Sequence, residues 1–396
     1  IRQLIFLQPG TLTATTPLIC FMKNNIKNEE LRKKIRMKLN NMSKDELLKL
    51  FKRINKEPLR FRSKLNLPDY VSFGNEIEIN SIPLDKSVLL VELFNDVKEL
   101  YDEDRYVVHQ EQTTDSEVVT PILTDEVWNW SNFYDMYDML YDTGATISDN
   151  TASHLHIGTH RINTPEKLSL LLKTLVVFEP IIFKFGYGYS DEPRHFLRHK
   201  TDMSVFSPMM SPKRVSTFTD VLDKYNYNSP GVMLASFKDF LAQELRFRPV
   251  FTFNDFDFNK LQYNIAGDNP SAHDHIEIRC FNGTLDPEIA QNNINLITRI
   301  IVAVIEGKID KDYVLAEYAK YKKKRYNFDV FCAMLDDERK GPQYNRLLDG
   351  FNKIKLEKAL KLADMIFDTE LDKCYFLKQY LKLFNAKEEE IVSILK

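Results

Sequence analysis

Four short segments carry residue types whose spacing could do chemistry. In Phe73-Gly74-Asn75-Glu76-Ile77-Glu78-Ile79, two carboxylates stand two residues apart. On a β-strand, side chains two apart point the same way, so Glu76 and Glu78 project together while Ile77 and Ile79 take the opposite face. Neighbouring carboxylates repel and are costly to bury, and a divalent cation removes that cost. Taken alone, such a pair is most often an exposed strand face. Thr114-Asp115-Ser116-Glu117-Val118-Val119-Thr120-Pro121 places another carboxylate before an apolar segment and a proline. Ser153-His154-Leu155-His156-Ile157-Gly158 puts two imidazoles on one strand face, with Leu155 and Ile157 packing behind. Same-face imidazoles are common ligands of metals or phosphates; the ordinary alternative is a pair of partly exposed histidines. In His275-Ile276-Glu277-Ile278-Arg279-Cys280-Phe281, Glu277 and Arg279 share a face, with Ile276, Ile278 and Cys280 behind. A carboxylate for metal beside a guanidinium for phosphate or carboxylate suits an active site; a cross-strand salt bridge is the plain alternative.

The conjunction says more than any member. Glu-Glu, His-His and Glu-Arg faces on three strands make a poor core. They make a good floor for Mg²⁺ or Mn²⁺ ions and the phosphates of a nucleotide. No GxxxxGK[ST] phosphate loop occurs in the chain, so phosphate binding has to come from elsewhere.

The elements that must position these groups lie within residues 70–300, where strand-like and helix-like pieces alternate. Residues 71–80, 155–159 and 275–281 read as strands. Residues 86–100 read as a helix with Leu89, Leu90, Leu93 and Val97 on one side. Residues 128–144 read as a helix ending at a glycine, 164–183 as a long helix with Pro165 at its start, and 287–306 as a helix rich in Ile and Val. Short strands interspersed with helices indicate an α+β or α/β core. Past residue 307 the strand signal fades. Residues 310–396 read as amphipathic helices, broken near Gly341-Pro342 and at Phe367-Asp368-Thr369.

The chain has 396 residues, 43% hydrophobic and 12% aromatic, with 12 Gly and 16 Pro. This excludes a collagen-like, linker-like or mostly disordered protein and suffices for a sizeable core in two or three domains. The net charge of −3 gives no bulk attraction to polyanions. Charge is uneven, however. Residues 23–64 hold 15 Lys/Arg against 5 Asp/Glu, whereas residues 85–149 hold 16 Asp/Glu against 3 Lys/Arg. Residues 23–56 have helical apolar spacing, and Ser43-x-x-Glu46 forms a capping box, so a basic helical hairpin is expected there. A solvated helical face is its ordinary reading; contact with nucleic acid or an acidic partner is the functional one. Cys20, Cys280, Cys332 and Cys374 include no CxxC pair, which suggests free thiols in a reducing cytosol. The apolar start is broken by Pro9, Gly10 and Pro17, so neither a transmembrane helix nor a signal peptide is expected. The chain does not begin with Met, and residue 1 need not be the natural start.

The set of motifs and their order resemble the amidoligase branch of the glutamine synthetase and γ-glutamylcysteine ligase superfamily of carboxylate–amine ligases. The matching pieces are Gly74-Asn75-Glu76-Ile77-Glu78, Glu117 before Thr120-Pro121, His154 with His156, and Glu277 with Arg279 before Gly283-Thr284-Leu285. The resemblance spans about residues 70–305. It implies an α+β, glutamine synthetase-like fold: a mainly antiparallel sheet as the active-site floor, with helices on the other face. It does not cover the basic hairpin or the helical tail, which the charge and periodicity add at either end; the expected division is an N-terminal segment with the basic hairpin at 1–67, a catalytic core at 68–307 and a helical region at 308–396.

By the same resemblance, the activity is an ATP-dependent, amide-forming ligation through an acyl phosphate, with ATP and Mg²⁺ (or Mn²⁺) as cofactors. Glu76 and Glu78 would sit on separate metal ions. Glu117 would share the ion of Glu78, and His154 and Glu277 would complete the nucleotide-side ion with Glu76. His156 would approach an ATP phosphate, and Arg279 the γ-phosphate or acyl phosphate, with Glu277 and Arg279 as the catalytic pair. Arg194, Arg198 and Lys200 lie where such ligases often bind substrate or phosphate; plain surface charge explains them equally well. The implied partners are a carboxylate and an amine, from an amino acid, peptide or protein side chain. The implied setting is cytoplasmic, without a membrane, and a homo-oligomer is compatible with it. Two rival readings stay open: a phosphotransferase on the same scaffold, and a non-catalytic module whose basic hairpin docks nucleic acid or an acidic protein. Retention of all four motifs argues against a decayed ligase.

Overall fold

The apolar–polar alternation of residues 73–79 makes them a strand, β1 (Phe73–Ile79), with one face in the core and the other lined by carboxylates. A computed structural model describes residues 59–188 apart from 112, 149, 159–160 and 163, together with 251–252, 275–323 and 355–382. Among these, β1 is joined by β2 (Val107–His109), β3 (Ser116–Val119), β4 (Ala152–Gly158), β5 (Phe251–Thr252) and β6 (His275–Asn282). They form a six-stranded sheet in the order β2-β3-β1-β4-β6-β5. Every pairing is antiparallel. Helices α1 (Leu84–Val97), α2 (Val127–Asp142), α3 (Pro165–Gly186), α4 (Pro287–Ile305), α5 (Lys311–Lys323) and α6 (Leu356–Ile366) belong to the same compact unit, which runs from Arg60 to Thr369. Helix α7 (Glu370–Tyr380) falls in a second unit. The architecture is α+β. The break expected at 367–369 separates α6 from α7, whereas the one at 341–342 and the basic hairpin at 23–56 lie outside the described residues.

One face of the sheet is the core. Phe73, Ile77, Ile79, Leu155, Ile157, Ile276 and Ile278 are each at most 2% exposed. Helix α2 presents Trp130, Phe133, Met136, Tyr137 and Leu140 to the interior, and Trp130 stacks on Phe73 with centroids 4.9 Å apart. Each large side chain removed from water contributes about 1.5–3 kcal/mol. Asn75 shares this apolar face without penalty. Its Nδ2 donates to Tyr137 Oη at 2.7 Å and its Oδ1 accepts from Ser153 Oγ at 2.7 Å, so the buried amide is satisfied.

Helix α4 starts where the sequence signals it. Asp286 caps it by accepting from the backbone N–H groups of Glu288 and Ile289, with Pro287 in the first turn. Residues 289–304 of α4 are all buried, so its polar side chains need internal partners. Gln291 bonds both backbone groups of Arg62, and Arg299 donates to the carbonyl of Leu65 at 2.6 Å. These contacts tie the segment before β1 to the centre of the unit. Helices α5 and α6 pack against α3.

Three expectations need correction. Strand β4 begins at Ala152, three residues before the expected start, because Ser153 pairs with Ile77 and its hydroxyl reaches Asn75. Strands β2, β3 and β5, of three, four and two residues, leave too little pattern to be read; ladder bonds to longer neighbours define them. The side of α1 bearing Leu89, Leu93 and Val97 faces solvent, and Ser87, Val91, Phe94 and Asn95 are buried instead. The reason is polar: Ser87 Oγ meets Ser116 Oγ at 2.7 Å, and Asn95 exchanges two hydrogen bonds with the backbone of Tyr106.

Gly283 marks a close approach between strand ends. A Cβ there would lie 2.4 Å from Thr151 Oγ1 and 2.9 Å from Thr151 Cβ. Gly283→Ala is therefore expected to push apart the chain beside β4 and β6, destabilising the fold by about 1–3 kcal/mol. A thermal melt checks this: the midpoint should fall by roughly 3–10 °C. An unchanged midpoint would show that the contact relaxes freely. Cys280 and Cys374 are buried. Among the described residues, no helix is long and apolar enough to cross a membrane.

Candidate active site

Register converts the sequence motifs into a cluster. Glu78 of β1 lies directly opposite Glu117 of β3, and Glu76 lies opposite His154 of β4. His156 lies opposite Glu277 of β6. Cross-strand partners share a face, so the chemistry-bearing residues of all four motifs line one side of the sheet. A bulge refines the layout. Ser153 pairs with Phe281 and Leu155 with Ile278, so the single residue His154 faces both Arg279 and Cys280. Phe281 thereby joins Cys280 in the buried layer, at 1% and 6% exposure, where strict alternation would have turned it outward.

The distances are short. Glu76 accepts from both histidines, from Nδ1 of His154 at 2.7 Å and from Nε2 of His156 at 2.8 Å. His154 Nδ1 is also 3.8 Å from Glu277 Oε1, and its Nε2 is 3.5 Å from Glu78 Oε1. Glu277 pairs with Arg279 two residues on. Glu78 accepts from the Ala152 backbone N–H at 2.6 Å. The side chains of His154, Glu78 and Glu277 are nearly sealed, whereas Glu76, His156 and Arg279 remain about one-fifth exposed. Those three form the open side of the cluster. A cleft of about 200 Å³ opens beside them, lined among others by Gly74, Glu76, Thr120, His156 and His275. A Cβ at Gly74 would make only ordinary contacts, 3.5 Å from Thr120 Oγ1 and 3.8 Å from His156 Cβ.

Electrostatics differ sharply within the cluster. At Glu76 burial opposes the charge, but hydrogen bonds from His154 and His156 outweigh it and hold the carboxyl well below the usual carboxylate range. At Glu117 burial and the charges of Glu76 and Glu78 act together, and its carboxyl is pushed up to about 8 with only weak relief from Arg279.

Two groups have ligand atoms close enough for a cation: Glu76, His154 and Glu277, and Glu78, Glu117 and His154, each set within 4.8 Å. His154 tests the fit. A carboxylate only accepts, so the short bond to Glu76 places the proton of the neutral ring on Nδ1 and leaves a lone pair on Nε2. That atom is buried without a hydrogen-bond partner, and it faces a carboxylate oxygen. A divalent cation would satisfy both.

All seven residues named from the four motifs are thus brought together. Arg194, Arg198 and Lys200 lie outside the described residues. Two further histidines belong to the same face and were not anticipated. His275 has its ring 4.8 Å from that of His156, and His109 Nδ1 is 3.8 Å from Glu117 Oε1. The first was signalled by the period-two run His275, Glu277, Arg279; the second lies on a three-residue strand that only pairing reveals.

A family model described as "Putative amidoligase enzyme" matches residues 81–301, more than half of the chain. The comparison with curated proteins gives no match.

Proposed function

The chain belongs to the amidoligase family, and from that premise we propose that it is an ATP-dependent carboxylate–amine ligase acting through an acyl phosphate. The observation that carries this reading is the juxtaposition, on one sheet face, of two carboxylate–histidine groups with Arg279 beside them. The glutamine synthetase-like character of the sheet is part of the same proposal.

The chemistry follows from charge. A carboxylate is a poor acyl donor because its leaving group would be oxide. Its attack on the γ-phosphorus of ATP breaks the bond to ADP and forms an acyl phosphate. An amine then attacks the acyl carbon, phosphate leaves, and the amine loses a proton. A divalent cation held by Glu78, Glu117 and Nε2 of His154, or one held by Glu76, Glu277 and Nδ1 of His154 with that ring in its other tautomer, would neutralise the polyphosphate and the transferring group. Arg279, paired with Glu277 and partly exposed, would contact the transferring phosphoryl group. His156, fixed by Glu76, offers a donor toward an ATP phosphate when protonated on both ring nitrogens. The amine and carboxylate come from an amino acid, a peptide or a protein side chain.

Calorimetry with a non-hydrolysable ATP analogue and Mg²⁺ tests the nucleotide half. Saturable, Mg²⁺-dependent binding is expected, weakened about tenfold or more by Glu76→Ala. Absence of binding to the folded wild type would remove the reading. Product mass tests the other half. Joining of two substrates with loss of water is expected, whereas a stable phosphate adduct without an amide would mark a phosphotransferase.

A further inference from the structure

Helix α1 turns an apolar stripe toward water. Leu89, Leu93 and Val97 recur every fourth residue, and they are 66%, 58% and 71% exposed. Tyr101, 76% exposed, follows beyond the helix end, and Val107, 45% exposed, lies on the edge strand β2, which packs against α1. Scattered exposed apolar side chains are ordinary; a stripe in register along one helix marks a contact surface. The inner side of α1 is already committed to β2 and β3 through Ser87, Phe94 and Asn95, so rotating the helix cannot bury the stripe.

Charge decides what covers it. Asp85, Glu92 and Asp96 are exposed on α1 beside the stripe, and Glu99, Asp102 and Glu103 are exposed just past its end. Against them stand Lys86, Lys98 and Arg105. Of these, Lys98 pairs with Asp135 and Arg105 with Asp96. The C-terminal end of the helix adds its own negative partial charge. A second copy of the same acidic face would be repelled, and an acidic partner more so.

We infer that the outer face of α1 is a docking surface for a basic amphipathic helix of a partner protein. Its apolar residues at helical spacing seat against Leu89, Leu93 and Val97. Its Lys or Arg residues meet Asp85 and Glu92. This inference stands apart from the ligase reading, because none of these residues belongs to the metal and phosphate cluster.

The test uses the full chain and two labelled helical peptides with the same leucine stripe, one carrying Lys and the other Glu at every remaining position. Fluorescence anisotropy is expected to show saturable binding of the Lys peptide alone, weakening several-fold in 0.5 M NaCl as charge is screened. The double substitution Leu89→Ser with Leu93→Ser is expected to weaken binding about tenfold or more. Both positions face solvent, so its thermal midpoint should stay within about 2 °C of wild type. Equal binding of the two peptides, no binding of either, or undiminished binding by the double variant would overturn the inference. So would a concentration-dependent dimer in light scattering that the double variant abolishes, since the occupant would then be a second copy.

Discussion

Glutamine in place of Glu277 is expected to lower ATP turnover by about 10³-fold while leaving the protein folded. The carboxylate stands at the one point where three functions meet. It pairs with Arg279, lies opposite His156 in the ladder, and shares a candidate cation site with Glu76 and His154. Glutamine keeps the volume and one oxygen, so the packing of this sealed side chain survives. What is lost is the charge that holds a cation and aligns the guanidinium. The measurement is phosphate release from ATP with Mg²⁺ and a competent substrate pair, alongside a thermal melt. Turnover near the wild-type rate in a folded variant would rule out the site assignment. Arg279→Lys is the companion variant. It keeps the charge but loses the planar fork, and a loss of about 10²-fold is expected for a phosphoryl contact.

Removing the charge of Glu117 is expected to do opposite things to stability and to metal affinity. Glu117 is buried among like charges and lies directly opposite Glu78. Its folded value of about 8 stands above the ordinary 4.5. A group raised in this way favours folding while protonated. Its contribution is fully present below the unfolded value and is lost as pH rises toward the folded one, that is, across roughly pH 4.5 to 8. The full shift corresponds to on the order of 5 kcal/mol, and residual solvent contact reduces what is measured. Glu117→Gln should therefore melt higher than wild type in EDTA at pH 8, and the gap should close near pH 5. With Mn²⁺ the gap narrows. Wild type gains stability from the bound ion by mass action, and the variant gains less because its affinity falls about 10- to 100-fold. A gap independent of both pH and Mn²⁺ would show that Glu117 stands outside any cation site.

The two variants separate kinds of failure. Loss of turnover in Glu277→Gln with normal metal response in Glu117→Gln would confine the chemistry to the group around Glu76. A metal response without ATP turnover would keep the cation sites and discard the ligase reading.

Much of the site was legible in the chain because strand alternation is a strict, local geometric rule. Glu76 with Glu78, His154 with His156, and Glu277 with Arg279 each needed only period-two spacing to be assigned to a common face. The helices at 127–142, 165–186 and 287–305 were legible for a similar reason, since apolar spacing, the glycine ending the first and Pro165 opening the second act within a few residues. Register is not local. Which residue of β3 meets Glu78, and whether His154 reaches one carboxylate group or two, depends on ladder bonds between segments about 40 to 130 residues apart. The bulge on β6 and the recruitment of His109 and His275 follow from those pairings and from no pattern within a single segment. Helix α1 shows the limit most plainly. Its periodicity correctly announced a helix, but hydrogen bonds from Ser87 and Asn95 to neighbouring strands chose the buried side. Sequence by itself determined which side chains share a strand face and where the helices begin. Tertiary structure alone decided which faces meet, because hydrogen-bond satisfaction and close packing are settled between elements rather than within them.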